Sequence, residues 1–244
     1  MIQTHVLGYP RIGAQRELKF ALEKYWRGEI SAHSLEEVGQ DLRRRHWQCQ
    51  HDAGLGHVTV GDFAFYDHVA NHIQLFGCEP TRFGFDGKER ALERYFVMAR
   101  GVADEVSAPC CVTNDGAAGG RQPLEMTKWF DTNYHYLVAE FLPDTDFRLN
   151  AERLLDEVAE ARSLGHAVKV VLLGPLSFLW LGKEKSDFNR LDLLQRLLPA
   201  YGQMLTLLKQ AGADWIQVDE PILGLDLPAA WRAAFEPAYS VLAA

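Results

Sequence analysis

The run 167–173, apolar except for Lys169 and closed by Gly174-Pro175, most constrains what this chain can fold into. A strand that is apolar on both faces must be covered on both faces. The flanking sequence supplies the covers. From Asn150, a capping residue type, Leu154, Leu155, Val158, Ala161 and Leu164 recur at helical spacing until Gly165 ends the pattern. From Asn189, Leu194, Leu197, Leu198, Tyr201, Leu205 and Leu208 repeat it until Gly212. A second buried strand, 215–218, follows, and Pro228 marks the start of a last helix. Strands alternating with helices at this spacing predict a parallel sheet with crossover helices.

The first half reads in the same way. A strand is expected over 4–8, ended by Tyr9-Pro10, then a helix over 15–27. Ser34 and Glu37 form a capping-box pattern for a helix that Gly54 stops. A short strand is expected over 58–60, with helices over 67–76 and 88–100 and a further strand over 125–127. Between them, 106–123 contains three glycines and two prolines without apolar period, and reads as a loop. The fold class is therefore α/β, of the (β/α) TIM-barrel type, as one domain over 1–244. Five strands are legible where a closed barrel has eight, so the barrel is expected to be incomplete. Its edges, near Val6 and Ile216, would be apolar and unblocked, which favours self-association or a segment laid across the gap.

The net charge of −8 argues against non-specific nucleic-acid binding, which needs a basic footprint. Cys49, Cys78, Cys110 and Cys111 show no C-x-x-C spacing and read as reduced thiols in the cytoplasm. No signal-peptide pattern opens the chain, and no apolar stretch is long enough to span a membrane.

Chemistry in a β/α barrel sits at the carboxyl ends of the strands. Arg11, Arg16, Glu17 and Lys19 follow the first expected strand; Asp62, Asp67 and His68 follow the second; Lys128 and Asp219-Glu220 follow later ones. Arg16 and Lys19 share a face of a helix's first turn, where the macrodipole disfavours cations and an anionic ligand would relieve them. The plain alternative is a solvated pair or an ion pair with Glu17 or Glu23. Lys128 precedes Trp129-Phe130 and either points into the barrel mouth or snorkels at the surface. Asp219 and Glu220 read equally as a base, an amine-binding group or a helix cap. His68 and His72 share a helix face near Asp62 and Asp67. Without an H-E-x-x-H pattern or cysteines at ligand spacing, packed histidines are the favoured reading over metal ligands. Neither a nucleophile elbow nor a glycine-rich phosphate loop is present.

These same residues carry a resemblance. Leu7-Gly8-Tyr9-Pro10-Arg11-Ile12-Gly13 followed by Arg16-Glu17-Leu18-Lys19 resembles the opening of the cobalamin-independent methionine synthases. Further matches are Arg45-His46-Trp47, Val60-Gly61-Asp62-Phe63, Tyr66-Asp67-His68 and Tyr95-Phe96. Glu125-Met126-Thr127-Lys128-Trp129-Phe130, Asn133-Tyr134-His135-Tyr136, Leu172-Leu173-Gly174-Pro175, Trp180-Leu181-Gly182-Lys183 and Gln217-Val218-Asp219-Glu220-Pro221 complete the series. The matches run in order over nearly the whole chain.

The resemblance implies a two-barrel enzyme that moves a methyl group from 5-methyltetrahydropteroyltri-L-glutamate to homocysteine, giving methionine. It also implies that the carboxyl-terminal barrel, absent here, supplies the zinc ligands, homocysteine pocket and catalytic histidine. This chain is then expected to hold no catalytic residue and no cofactor, and to be inactive alone. Its partners would be the folate polyglutamate and the catalytic barrel. The family's folate-binding residues fall on Arg16, Glu17, Leu18, Lys19 and Lys128. The segment 102–123 departs from the family by its length and irregularity. A stand-alone or degenerate binding module of the same fold is the competing expectation.

Overall fold

The computed structural model describes residues 3–102 and 121–243. Most of the expected loop 106–123, with Cys110 and Cys111, lies outside the described residues. At its borders Val102 and Arg121 form an antiparallel bridge. The elements in order are helices α1 (Glu17–Trp26) and α2 (Ala32–Asp52), strand β1 (Val58–Val60), and helices α3 (His68–Leu75) and α4 (Ala91–Arg100). Strands β2 (Met126–Lys128), β3 (His135–Leu137) and β4 (Glu140–Phe141) follow, then α5 (Glu152–Ser163), β5 (Val168–Leu173), α6 (Pro175–Leu181) and β6 (Lys183–Glu184). The chain continues through α7 (Leu194–Gln210), β7 (Trp215–Asp219) and α8 (Ala229–Leu242).

This is a mixed α/β protein. Its main sheet is parallel, in the order β1-β5-β7, with Thr59 beside Lys169 and Lys169 beside Trp215. β4 and β6 form a second parallel pair. The expected strand at 125–127 is real but belongs to neither: β2 pairs antiparallel with β3, as a hairpin. One face of the main sheet, carrying Val58, Val60, Val168, Val170 and Leu172, is buried in the core. That burial follows from the apolar helix faces, where Val158 and Ala161 of α5 and Leu197, Tyr201 and Leu208 of α7 are fully buried. Leu164, expected inward, is instead 47% exposed at the end of α5.

Two expectations are corrected here. Ser34 does not cap α2. Ser31 does, accepting a hydrogen bond from the Ser34 amide at 3.1 Å. The segment 4–8 is not a strand. It crosses the other, polar face of the main sheet; the Gly56 amide donates to the Thr4 carbonyl, and side chains rather than a ladder meet the backbone of Val6 and Leu7. Lys169, only 3% exposed, donates to the Val6 carbonyl, to Gln217 Oε1 and to His5 Nδ1, so all three ammonium protons are used. Gln217 donates in turn to the Leu7 carbonyl, and the Tyr9 amide donates to Asp62 at 2.6 Å. Burial lowers the Lys169 pKa, against the favourable charges of Asp219 and Asp62.

Of the edges expected near Val6 and Ile216, the second is observed, as β7, while β1 takes the place of the first. On β1, the Thr59 amide donates to Gln50 Oε1 at 2.9 Å, and Trp47 Nε1 donates to the Thr59 carbonyl at 2.8 Å. Two α2 side chains, each 2% exposed, thus occupy the edge backbone and block further pairing there. β7 is the more open edge, with Trp215 55% exposed. Replacing Gln50 by Ala should leave the buried Thr59 amide without an acceptor and cost about 1–3 kcal/mol. Gln50→Glu, which keeps an acceptor, should cost less. Urea unfolding of both variants tests this; equal losses would mean that the Thr59 bond contributes nothing specific.

Candidate functional site

At the carboxyl end of β1 the chain turns at Gly61, whose φ of +87° and approach to the Val171 carbonyl exclude a side chain. The turn delivers Asp62 and then Asp67, the N-cap of α3. Asp67 is 1% exposed, and its carboxylate accepts three hydrogen bonds from two segments. Its Oδ2 takes the Ala70 amide at 2.9 Å and the Leu137 amide at 3.2 Å, while Oδ1 takes the Tyr134 hydroxyl at 2.7 Å. Burial raises the Asp67 pKa, and the three hydrogen bonds and Arg11 oppose that rise. Arg11 donates to the Tyr66 carbonyl and lies over the Tyr134 ring at 5.7 Å. His68 fills the remaining side, 4.7 Å from the Trp129 ring and stacked on Tyr134 at 5.8 Å. Burial holds its pKa down to about 4.

The hairpin β2–β3 is thereby fastened to the loop before α3 and to the segment leading into α1. Lys128 sits exposed on the hairpin. Trp129, the next residue, donates its amide to the Tyr134 carbonyl at 2.7 Å. Phe130 has a φ of +50°. On the other segment, Arg16 is the N-cap of α1 with a φ of +62°. Among the described residues, Arg16 and Phe130 are the non-glycine residues in the left-handed region. Such backbone is costly and persists where the surroundings enforce it, often at ligand sites.

The five expected site residues are not alike. Arg16 and Lys128 are exposed, and Lys19 is half-buried, 3.5 Å from Glu23 in an ion pair. Leu18 is fully buried in the core, and its amide donates to the Ile12 carbonyl, so it acts as an anchor for α1. Glu17 folds back over the helix start. Its carboxylate accepts the Gln15 amide at 2.9 Å and Arg45 Nη1 at 2.8 Å. Gly13, at φ +83°, makes room for it: a Cβ there would lie 2.1 Å from Glu17 Oε2. Hydrogen bonding by its own amide and by Arg45 lowers the Glu17 pKa. Glu17 and the Ile12 carbonyl thus already occupy the start of α1, at the Gln15 and Leu18 amides. Among the described residues, no hydrogen bond or ion pair joins Arg16 or Lys19 to Lys128.

His72 settles one open reading. Its Nδ1 faces the His68 carbonyl at 2.9 Å, and Nε2 accepts the Leu173 amide at 2.9 Å. With both nitrogens committed and its pKa lowered to about 4 by burial, it locks α3 to β5 and has no lone pair for a metal. Glu220 resolves likewise as a cap. It accepts the Leu176 and Ser177 amides at 3.2 and 2.7 Å and the Tyr239 hydroxyl at 2.9 Å, tying α6 to α8. Asp219 accepts from Gln217 at 2.8 Å. Sequence reasoning on residue type alone did not single out Tyr134; the aromatic alternation of Tyr134 and Tyr136 after Lys128 was the available signal.

This geometry can be set beside known proteins. A family profile described as "Cobalamin-independent synthase, N-terminal domain" matches residues 3–244. The chain belongs to that family. A 5-methyltetrahydropteroyltriglutamate–homocysteine methyltransferase of Burkholderia thailandensis is 54% identical over 246 residues, covering 99% of this chain and 30% of the relative. The namesake protein of Burkholderia pseudomallei is 52% identical over 247 residues, covering 100% and 30%. The chain thus spans about 30% of the length of these relatives. Among solved structures, a B12-independent methionine synthase from Shewanella sp. W3-18-1, in complex with selenomethionine, is similar with a TM-score of 0.51 at 17% identity. The likeness covers 81% of this chain and 46% of that one, and concerns the fold. Among the described residues no helix is long and apolar enough to cross a membrane.

Burial pushes the Asp62 pKa up to about 7, with Glu157 adding to the rise and the Tyr9 amide and Lys169 opposing it. A carboxyl whose folded pKa lies above its unfolded value binds more protons in the native state between about pH 4 and 7, so its contribution falls as pH rises through that window. Asp62→Asn keeps an acceptor for the Tyr9 amide and removes the titration. Its melting temperature relative to the parent should therefore be higher at pH 8 than at pH 5. A difference that is the same at both pH values would show that Asp62 ionises normally.

Proposed function

We propose that this chain is the folate-side barrel of a methionine synthase, and that Arg16, Lys19 and Lys128 bind the carboxylates of the polyglutamate tail. The parallel strands β1, β5 and β7 are, on this reading, staves of a (β/α) barrel, one domain over 1–244, of which the described residues show a part. The polar mouth and its cations then sit where barrels carry function. The observation that carries the proposal is the pairing of two cationic segments, the α1 start and the β2–β3 hairpin. Each contains a residue held in the left-handed region, and Arg11, ahead of α1, packs over the ring of Tyr134, whose hydroxyl donates to Asp67. The relatives' name supplies the ligand, a tail of successive carboxylates.

The chemistry of this half is recognition. Charge-assisted hydrogen bonds from lysine and arginine orient the tail, and Glu17 keeps the first turn of α1 from binding anions indiscriminately. Methyl transfer to homocysteine belongs to the carboxyl-terminal half, as do the zinc that activates the thiol and the homocysteine itself. The described residues do not fit a zinc site. His72 is committed twice, the buried Cys78 thiol is pushed up by desolvation, and no cluster of three suitable donors is present among them. A cytoplasmic setting follows from the same reading.

Titration with triglutamyl and monoglutamyl methyltetrahydrofolate tests the proposal. The double variant Lys19→Ala, Lys128→Ala should weaken the triglutamate about tenfold, as expected for two partly screened ion pairs, and leave the monoglutamate nearly unchanged. Affinity for the triglutamate should fall as salt rises. Equal losses for both ligands would mean that these lysines do not read the tail.

A further inference from the structure

A polar cleft of about 440 Å³ shares no residue with the cations assigned to the tail. That volume is in the range of sites that take a small metabolite. Its walls are the loop 77–82 after α3 and the loop 142–148 after β4, and its floor is the β4–β6 pair. Hydrogen bonds fix both the walls and the floor. The Arg148 amide donates to the Phe76 carbonyl at 2.8 Å, which ties one wall to the other. Arg196 Nη1 donates to the Pro143 carbonyl at 2.9 Å, and the Thr145 hydroxyl accepts the Leu142 amide at 2.8 Å. In the floor, the Glu140 side chain is 8% exposed and lies between two cations. Arg82 grips it through Nε at 2.7 Å and Nη2 at 3.1 Å, and Lys185 stands 3.1 Å away. Burial works to raise the Glu140 pKa, and Arg82 and Lys185 overcome it, so the net shift is downward.

The charges of the cleft pair off and leave one of each sign. Glu140 is matched by Arg82, Asp146 by Arg148 at 3.1 Å, and Glu79 by Arg94 at 2.9 Å. Lys185 is then a surplus cation, half-exposed, with ammonium protons to spare beside its contact to Glu140. Asp144 is the surplus anion; it lines the cleft, and among the described residues its carboxylate is in no hydrogen bond or ion pair. Arg148 spends Nε on Asp146, which leaves its Nη groups as further donors. Beside these groups lie Pro80, the buried Cys78 and Leu142, which is 37% exposed. A simple anion would face Asp144, and a simple cation would face Lys185. A molecule that carries both charges and an apolar part meets every surplus group.

We infer that this cleft binds an α-amino acid with an apolar side chain, its carboxylate on Lys185 and Arg148 and its ammonium on Asp144. The inference is independent of tail binding.

The test is an amide NMR titration of the full 244-residue chain with L-norleucine and with its two halves, pentylamine and hexanoate. Norleucine should shift Gly77, Thr81, Asp144 and Lys185 along one saturable curve. Each half, lacking one charge-assisted contact, should bind about tenfold more weakly. Asp144→Asn, at an exposed position, should weaken norleucine about tenfold and leave hexanoate unmoved. Lys185→Met should weaken norleucine and hexanoate alike and leave pentylamine unmoved. A merely structural role for either residue would change melting temperature without this split between ligands. Hexanoate binding as tightly as norleucine would make the cleft a plain anion site and overturn the inference. Absence of a saturable curve, or norleucine binding that neither substitution changes, would overturn it too, and the comparison of the three ligands needs no variant. Neither substitution should alter triglutamate binding, so failure here leaves the tail reading standing.

Discussion

The ammonium of Lys169 is the interaction on which the mouth of this protein depends. It sits in the middle strand of the main sheet, on the polar face, almost without solvent. A buried cation is tolerated only when its protons are all taken. Here they go to Val6, Gln217 and His5, two of which lie in the opening segment of the chain. That segment has no ladder partner. Its carbonyls and amide are met by Lys169, Gln217 and Asp62, one side chain at or just beyond each strand. The path of residues 4–9 across the sheet, and hence the starting point of Arg11 and α1, follows from those bonds.

Asp67 is the second anchor. The first anchor fixes where the opening segment leaves the sheet, and the second fixes what it meets. Arg11 bridges them, since it follows Tyr9 and Pro10 by sequence and reaches Tyr66 and Tyr134 by its side chain. The chain belongs to the cobalamin-independent synthase family, and the proposed tail binding would give these anchors a purpose. On that proposal the cations need supports that do not shift, and a carboxylate buried among three hydrogen-bond donors is such a support.

Much of the fold was legible in the residues. β1 has the expected limits, and β5, α7 and β7 fall within a residue or two of theirs, apart from the short turn over Arg190–Leu193 that precedes α7. Strong periodicity and glycine stops carried those readings. The failures have a common cause in tertiary contacts that local pattern does not encode. Residues 4–8 look like a strand, but side chains from distant strands captured their backbone. Ser34 has the better capping pattern, but Ser31 lies at the point where the chain turns into the helix. Residues 125–127 were legible as a strand, while their antiparallel partner lay across a turn rich in aromatic residues. Arg16, Lys19 and Lys128 were legible as cations, but the first two stand at a helix start that no strand precedes. The commitment of Glu17 to its own helix start was not legible, because it depends on Arg45 and on the room left by Gly13.

The central claim is that the α1 start and the β2–β3 hairpin form one polyanion site. An amide NMR titration of the chain with a tri-γ-glutamate peptide, free of any pterin, tests it most directly. The account predicts shifts concentrated at Arg16, Lys19, Lys128 and Trp129, appearing together along one binding curve and fading with added salt. Shifts confined to one of the two segments, or gathered instead around Lys169 and Trp215 at the open sheet edge, would contradict it.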